Sequence, residues 1–257
     1  QVWDAMVDIV VEQCEQDGLE PMSINPVVGE CNDSRINQIQ KRVVGADEVR
    51  QAFASALEEF EEGDVGAGAG TICYGLKGGI GSPSRVIRIG EKEYTIGVLV
   101  QSNFGATEDF VLNGESVGAK ILDWKQEKDD MAASEEDKGS IMSILATDLP
   151  LTSRQLRRIL RRTGVGIART GGYTGHGSGE VMIGFTTANR IPSGAEEELL
   201  QIQAIPEHVI NRAFLAAAEA EQEAILNSMT AAERTRGQAG ELYYSLSEYL
   251  EDQDSKQ

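Results

Sequence analysis

Residues 125–146 read KQEKDDMAASEEDKGSIMSILA. Up to Lys138 the stretch is densely charged and almost without apolar side chains, a composition that cannot bury itself and reads as a linker. At Gly139-Ser140 it switches, with no transition, into Ile141-Met-Ser-Ile-Leu-Ala146, which reads as a strand. The serine at this seam between an acidic tether and a strand is the most informative boundary in the chain.

Upstream, apolar positions at helical spacing predict a helix over 2–16, stopped by Asp17-Gly18. A second is predicted over 46–62, with Val49, Phe53, Leu57 and Phe60 on one side and Gly63 ending it. A glycine-rich passage over 63–81 follows. Residues 86–89 and 94–100 read as strands joined at Gly90-Glu91, and 117–124 as a further short strand. Downstream, a helix is predicted over 152–163, capped by Thr152 or Ser153 and ended by Gly164 and Gly166. A glycine loop over 171–179 feeds a strand at 181–187, and 206–232 is a long helix with Pro206 near its start. The tail at 241–257 is amphipathic, then polar. Strands grouped together, without regular βαβ alternation, favour packed sheets covered by helices.

The chain has 257 residues, 40% hydrophobic and 25% charged, with a net charge of −19. That is globular composition. The acidity argues against nucleic acid, which requires a basic footprint, and fits an acidic solvated surface that would also attract a cationic substrate. No apolar run reaches membrane-spanning length. Cys14, Cys31 and Cys73 are odd in number and far apart, so they read as thiols of a reduced, cytoplasmic compartment, and no His/Cys cluster suggests a metal. Gln1 runs straight into a helical pattern without an initiator Met, so the chain is expected to start partway into a longer polypeptide.

Other motifs read more plainly. Gly66, Gly68 and Gly70 follow a helix and open strand-like sequence, the reverse of a dinucleotide fingerprint, so close packing is their expected role. His176 lies near Ser178, and a His-based triad would need Asp148 or Glu180 as its orienting carboxylate. The arginines at 154, 157, 158, 161 and 162 read as a solvated or intersubunit face. Asn103 follows an apolar strand, where its amide could donate to a developing oxyanion or form a turn before glycine.

Five ordered segments carry a resemblance. They are Asn25-Pro-Val-Val-Gly-Glu-Cys-Asn-Asp33; Val65-Gly-Ala-Gly-Ala-Gly70 with Lys77-Gly-Gly-Ile-Gly-Ser82; Gly97-Val-Leu-Val-Gln-Ser-Asn-Phe-Gly105; Gly139-Ser-Ile-Met142 with Ala146-Thr-Asp-Leu-Pro-Leu151; and Arg169-Thr-Gly171 with Gly177-Ser-Gly-Glu180. With them the chain resembles the P1 family of self-processing serine aminopeptidases, the L-aminopeptidase/D-esterase and β-peptidyl aminopeptidase group. The resemblance implies an α+β fold, a four-layer αββα sandwich of the N-terminal-nucleophile type, with the N-terminal part of the domain missing from this chain. It implies one catalytic domain over 1–257, divided into an α part (1–139, ending in the linker 125–139) and a β part (140–257). Cleavage between Gly139 and Ser140 would expose Ser140 as nucleophile. Asn103 matches the oxyanion donor, Ser178 and Glu180 the residues that bond around the nucleophile, and Glu30 the carboxylate that holds the substrate ammonium. Where some members carry an aromatic residue, this chain has Asn32, which bears on substrate choice. A short peptide or an amino-acid amide or ester is the implied substrate, without cofactor, metal, membrane or nucleic acid, in a homo-oligomer of processed pairs. Two alternatives stay open: an acyltransferase of the ornithine acetyltransferase type, whose nucleophile is threonine, and a glycine-rich ligand-binding module or inactive relative.

Overall fold

The computed structural model describes residues 1–128, 139–191 and 199–256. Helices α1 (Val2–Gln16) and α2 (Ala46–Ala54) open the chain. The glycine-rich passage forms a 3₁₀ turn at Gly66–Gly68 and a ribbon of β1 (Ile72–Cys73) and β2 (Leu76–Lys77). Strands β3 (Ile80–Gly81), β4 (Ser84–Ile89) and β5 (Lys92–Asn103) follow, then a ribbon of β6 (Val111–Leu112) and β7 (Glu115–Ser116) and helix α3 (Gly118–Glu127). Next come β8 (Ser140–Thr147), α4 (Ser153–Leu160), α5 (Thr163–Arg169) and β9 (Gly179–Thr186). Helix α6 (Asn211–Thr230), a ribbon of β10 (Thr235–Arg236) and β11 (Leu242–Tyr243), and α7 (Leu246–Ser255) close the chain.

The architecture is α+β, built on one five-stranded sheet. Strands β3 and β4 both pair antiparallel with β5, β5 pairs antiparallel with β8, and β8 pairs parallel with β9. Alternation along a strand sends successive side chains to opposite faces. Val98, Val100, Ile141 and Leu145 point into the core with α6 and its neighbours. Helix α6 lies close on this face because its core side is mostly alanine: Ala213, Ala217, Ala220 and Ala224 are buried. Gly81 permits the contact, since a Cβ there would sit 2.0 Å from the Ala224 carbonyl. The Ser102 and Ser228 hydroxyls, 2.6 Å apart, fasten helix to sheet. The opposite face carries Ile144, Val181 and Phe185, which are 37%, 47% and 50% exposed. One sheet and one helical layer of the expected sandwich are thus present among the described residues.

Three expectations need correction. Residues 117–124 are not a strand. Val117, Ile121 and Trp124 are all buried, at positions four and three apart, which is one face of a helix. Helix α2 stops at Ala54, well short of 62, because Leu57 and Phe60 stay exposed and a helix without a buried face is marginal. Gly164 and Gly166 lie inside α5, not at the end of a helix. Gly166 serves close packing, since a Cβ there would lie 2.5 Å from the Glu221 Cβ. The Thr152 cap is present, with Gln155 completing its capping box. Most of the expected linker, 129–138, lies outside the described residues. Lys125 at its start is buried in α3 and donates to the Gly75 carbonyl at 3.0 Å.

One polar group sits deep under β8. Glu221 on α6 is fully buried, and one carboxyl oxygen accepts from Ser143 Oγ at 2.7 Å. The other oxygen has no partner among the described residues. Burial pushes this carboxyl from 4.5 up to about 7. A carboxyl whose pKa is higher folded than unfolded contributes its full stability below the unfolded value and loses it as pH rises through about 7. Urea unfolding at pH 5 and pH 8.5 should therefore show a loss on the order of 3 kcal/mol that Glu221→Gln removes. A pH difference unchanged by Glu221→Gln would contradict the assignment.

Candidate active site

Ser140 is the first residue of β8 and has a strand on each side. The register sets it opposite Asn103 of β5 and opposite Gly179 of β9. Residues in register share a face, so the Ser140 and Asn103 side chains emerge together. A Cβ on Gly179 would lie 3.8 Å from that of Ser140.

Hydrogen bonds at both ends fix the Asn103 amide. Its oxygen accepts from the Ile72 N–H at 3.0 Å, and its nitrogen donates to the Asn32 carbonyl at 3.1 Å. The donor end therefore faces the segment that carries Glu30 and Asn32. Cys31 pins that segment to the sheet. Its thiol is buried and lies 3.6 Å from both the Gln101 and Ser140 carbonyl oxygens. Burial pushes the thiol pKa up, against a weaker opposing effect of its hydrogen bond with Ser140. Glu30 is exposed, one residue before this anchor.

The glycine-rich passage is held beside the site on the same face of the sheet. The Gln101 amide donates to the Ala67 carbonyl at 2.8 Å. Lys77 is fully buried and donates to the Gly68 and Gly78 carbonyls, each at 2.7 Å. Its pKa is lowered to about 8 by burial. Gly68 is required for packing, since a Cβ there would lie 2.5 Å from the Gly63 carbonyl oxygen. The 3₁₀ turn leads into β1, with no helix after it to hold a phosphate.

At the seam itself, the Gly139 carbonyl accepts from the Gly179 N–H at 3.0 Å. A Cβ on Gly139 would lie 2.0 Å from the Asn103 carbonyl oxygen, so only glycine fits. Ser178 Oγ donates to Glu180 at 2.6 Å, and these two residues flank Gly179. Glu180 is in register with the core-facing Ile141, so its side chain leaves the sheet on the face opposite Ser140. The structure thus unites Ser140, Asn103, Gly139 and the Glu30 segment, and sets the Ser178–Glu180 pair beside the same rung across the pleat. The hydrogen bonds among the described residues do not assemble the triad alternative. Ser178 bonds Glu180, not His176, which is exposed, and Asp148 lies beyond the far end of β8, where it accepts from the Thr95 N–H. Arg154 and Arg158 pair with Glu207, and Arg162 stacks 4.0 Å from the Phe214 ring, which accounts for three of the clustered arginines. Among the described residues no group of acidic, histidine and cysteine side chains could hold a metal, and no helix is long and apolar enough to cross a membrane.

The model of peptidase family S58 matches residues 1–243. The chain belongs to peptidase family S58. It is 35% identical over 244 residues to the beta-peptidyl aminopeptidase BapA of Sphingosinicella xenopeptidilytica, an alignment covering 92% of this chain and 60% of that protein. The chain therefore spans about 60% of the length of this curated relative. Among solved structures it is similar to the PH0078 protein of Pyrococcus horikoshii OT3, with 43% identity, a TM-score of 0.86, and coverage of 97% of this chain and 68% of that one. It is also similar to the L-aminopeptidase D-Ala-esterase/amidase of Ochrobactrum anthropi, described as a prototype for the serine aminopeptidases and a new variant of the Ntn hydrolase fold. There the identity is 32%, the TM-score 0.85, and the coverage 98% and 69%. The fold of the S58 chain is thus of the Ntn hydrolase type.

Sequence reading did not single out Cys31, Gly179 or Lys77 as parts of this site. Each lies inside a motif that was noticed, but its role depends on a partner distant in sequence. The thiols supply a direct check. Cys14 is half-buried, whereas Cys31 and Cys73 are buried. Access and thiolate character govern alkylation. Brief iodoacetamide treatment of the folded protein should therefore label Cys14 alone, and all three cysteines should react after unfolding. Native labelling of Cys31 would contradict its buried place against β8.

Proposed function

We propose that the protein is a self-processing serine aminopeptidase in which Ser140 is the nucleophile. The single observation that carries this reading is Ser140 at the start of β8, in register with Asn103 on one side and Gly179 on the other. Its relatives' described activities, β-peptidyl aminopeptidase and L-aminopeptidase D-Ala-esterase/amidase, support the same reaction class. Cleavage between Gly139 and Ser140 yields an α chain (1–139) and a β chain (140–257). It frees an α-amine beside the hydroxyl, and such an amine has a pKa of about 8, so it accepts the hydroxyl proton near neutral pH.

Ser140 Oγ then attacks the carbonyl of the substrate's N-terminal residue. The Asn103 amide donates to the oxyanion, the amine or alcohol leaves with a proton, and water releases the acyl group from Ser140. Glu30 holds the substrate ammonium, which selects free N-termini, and Ser178, oriented by its hydrogen bond to Glu180, assists proton movement around the nucleophile. The substrate is a short peptide or an amino-acid amide or ester, and the chemistry calls on no metal or organic cofactor. Processed pairs assemble into a homo-oligomer. Serine at 140, in place of threonine, weighs against the acyltransferase alternative.

Intact mass of the denatured full-length protein tests the reading. Two chains divided after Gly139 are expected from the wild type, and one chain without peptidase activity from Ser140→Ala. A folded wild type that stays uncut would reject it. In the processed enzyme, Asn103→Ala should lower kcat by about 10²–10³, since an oxyanion donor acts in the transition state. Glu30→Gln should instead raise KM for aminoacyl p-nitroanilides by roughly fivefold, the worth of one exposed ion pair of about 1 kcal/mol.

A further inference from the structure

We propose that the backbone N–H of Gly179 is the oxyanion donor for self-cleavage of this chain. The inference rests on the reading of Gly139-Ser140 as the cleaved bond, and concerns how the fold activates that bond before any substrate is met.

The carbonyl of that bond belongs to Gly139, and its oxygen accepts from Gly179 N–H at 3.0 Å. In cleavage, Ser140 Oγ attacks the Gly139 carbonyl carbon and a C–O bond forms. The carbonyl electron pair moves onto the oxygen, making an oxyanion where the Gly179 N–H already points. The C–N bond to Ser140 then breaks, and the proton lost from Oγ ends on the departing nitrogen. The resulting Gly139 ester on Ser140 is hydrolysed by water to a Gly139 carboxylate and a free Ser140 hydroxyl. The donor strengthens its bond as charge grows on the oxygen, which is the condition for catalysis as opposed to uniform binding.

Two further features hold the carbonyl on this donor. On the β5 side, Gly139 packs so tightly that a Cβ would lie 2.0 Å from the Asn103 carbonyl oxygen and 2.6 Å from the Phe104 Cα, which limits rotation of the peptide. On the β9 side, the parallel register Ser140↔Gly179 continues through Thr147↔Thr186, so the N–H belongs to a continuous ladder and not to a mobile loop. The donor is therefore preorganised by the sheet. Gly179 has no positive φ, and an added Cβ would meet Ser140 Cβ at an ordinary 3.8 Å, so its side chain can change without loss of the N–H.

The test replaces the N–H and leaves the shape. The full-length protein is made by cell-free translation with glycolic acid at 179, converting that amide to an ester. The first-order appearance of the fragment starting at Ser140 is followed by intact mass. Cleavage should slow by about 10²–10³, the cost of removing one oxyanion donor. The equivalent ester at Val181, two residues along β9 and in register with Met142, should stay within a few-fold of wild type and measures what loss of a ladder N–H alone does. Gly179→Pro removes the same N–H by ordinary expression and should slow cleavage at least as much. Cleavage at the wild-type rate by the 179 ester or by Gly179→Pro would overturn the proposal, as would equal slowing by the 179 and 181 esters. An uncut wild type, or a cut Ser140→Ala, would instead reject the underlying aminopeptidase reading.

Discussion

The ladder that holds the first rung of β8 between an antiparallel and a parallel neighbour governs everything around it. A strand end with a partner on one side only can fray, and its first residue has no fixed direction. Ser140 has Asn103 on one side and Gly179 on the other, so its backbone position is set by the sheet. The same pairing carries the Gly139 carbonyl onto β9 and leaves no room for a side chain at 139. The peptide entering the strand is thereby held as firmly as the strand itself.

That rung depends in turn on close packing behind it. Helix α6 approaches the sheet with an alanine face, and Gly81 and Gly166 remove the atoms that would keep backbones apart. Two polar pairs lie inside this contact: Ser102 with Ser228, and Ser143 with one carboxyl oxygen of Glu221. A buried polar group without a partner costs on the order of 1–3 kcal/mol, so such pairs restrict how helix and sheet can slide past each other. The result is a rigid platform beneath residues 140 and 103.

On the open face the constraint is different. The Glu30–Asn32 segment has no regular secondary structure of its own and is held by the Cys31 thiol and by the Asn32 carbonyl, which accepts from Asn103. The glycine-rich turn is likewise held by buried Lys77 and by Gln101. Loops placed by a rigid scaffold commonly carry chemistry. Here the same amide that is read as an oxyanion donor also locks its neighbouring loop, which couples the shape of the open face to the orientation of Asn103.

Local pattern determined a good part of this protein. Helix α1 follows from the spacing of Val2, Met6 and Ile9, strands β5, β8 and β9 from their apolar runs, and the seam at Gly139-Ser140 from an abrupt change in composition. The ordered motifs named Ser140, Asn103, Ser178, Glu180 and Glu30 because such residue strings are specific even without coordinates. Tertiary structure decided what those signals could not encode. Whether 117–124 is helix or strand turned on which side chains found a core. Whether Gly166 stops a helix or lets two helices touch turned on α6, more than forty residues away in sequence. The register that sets Asn103 and Gly179 on either side of Ser140, and the pleat that puts Glu180 on the other face, belong to pairings between distant strands. A one-residue shift in such a pairing moves every side chain to the opposite face without altering the sequence of either strand, and for that reason only the folded sheet fixes it.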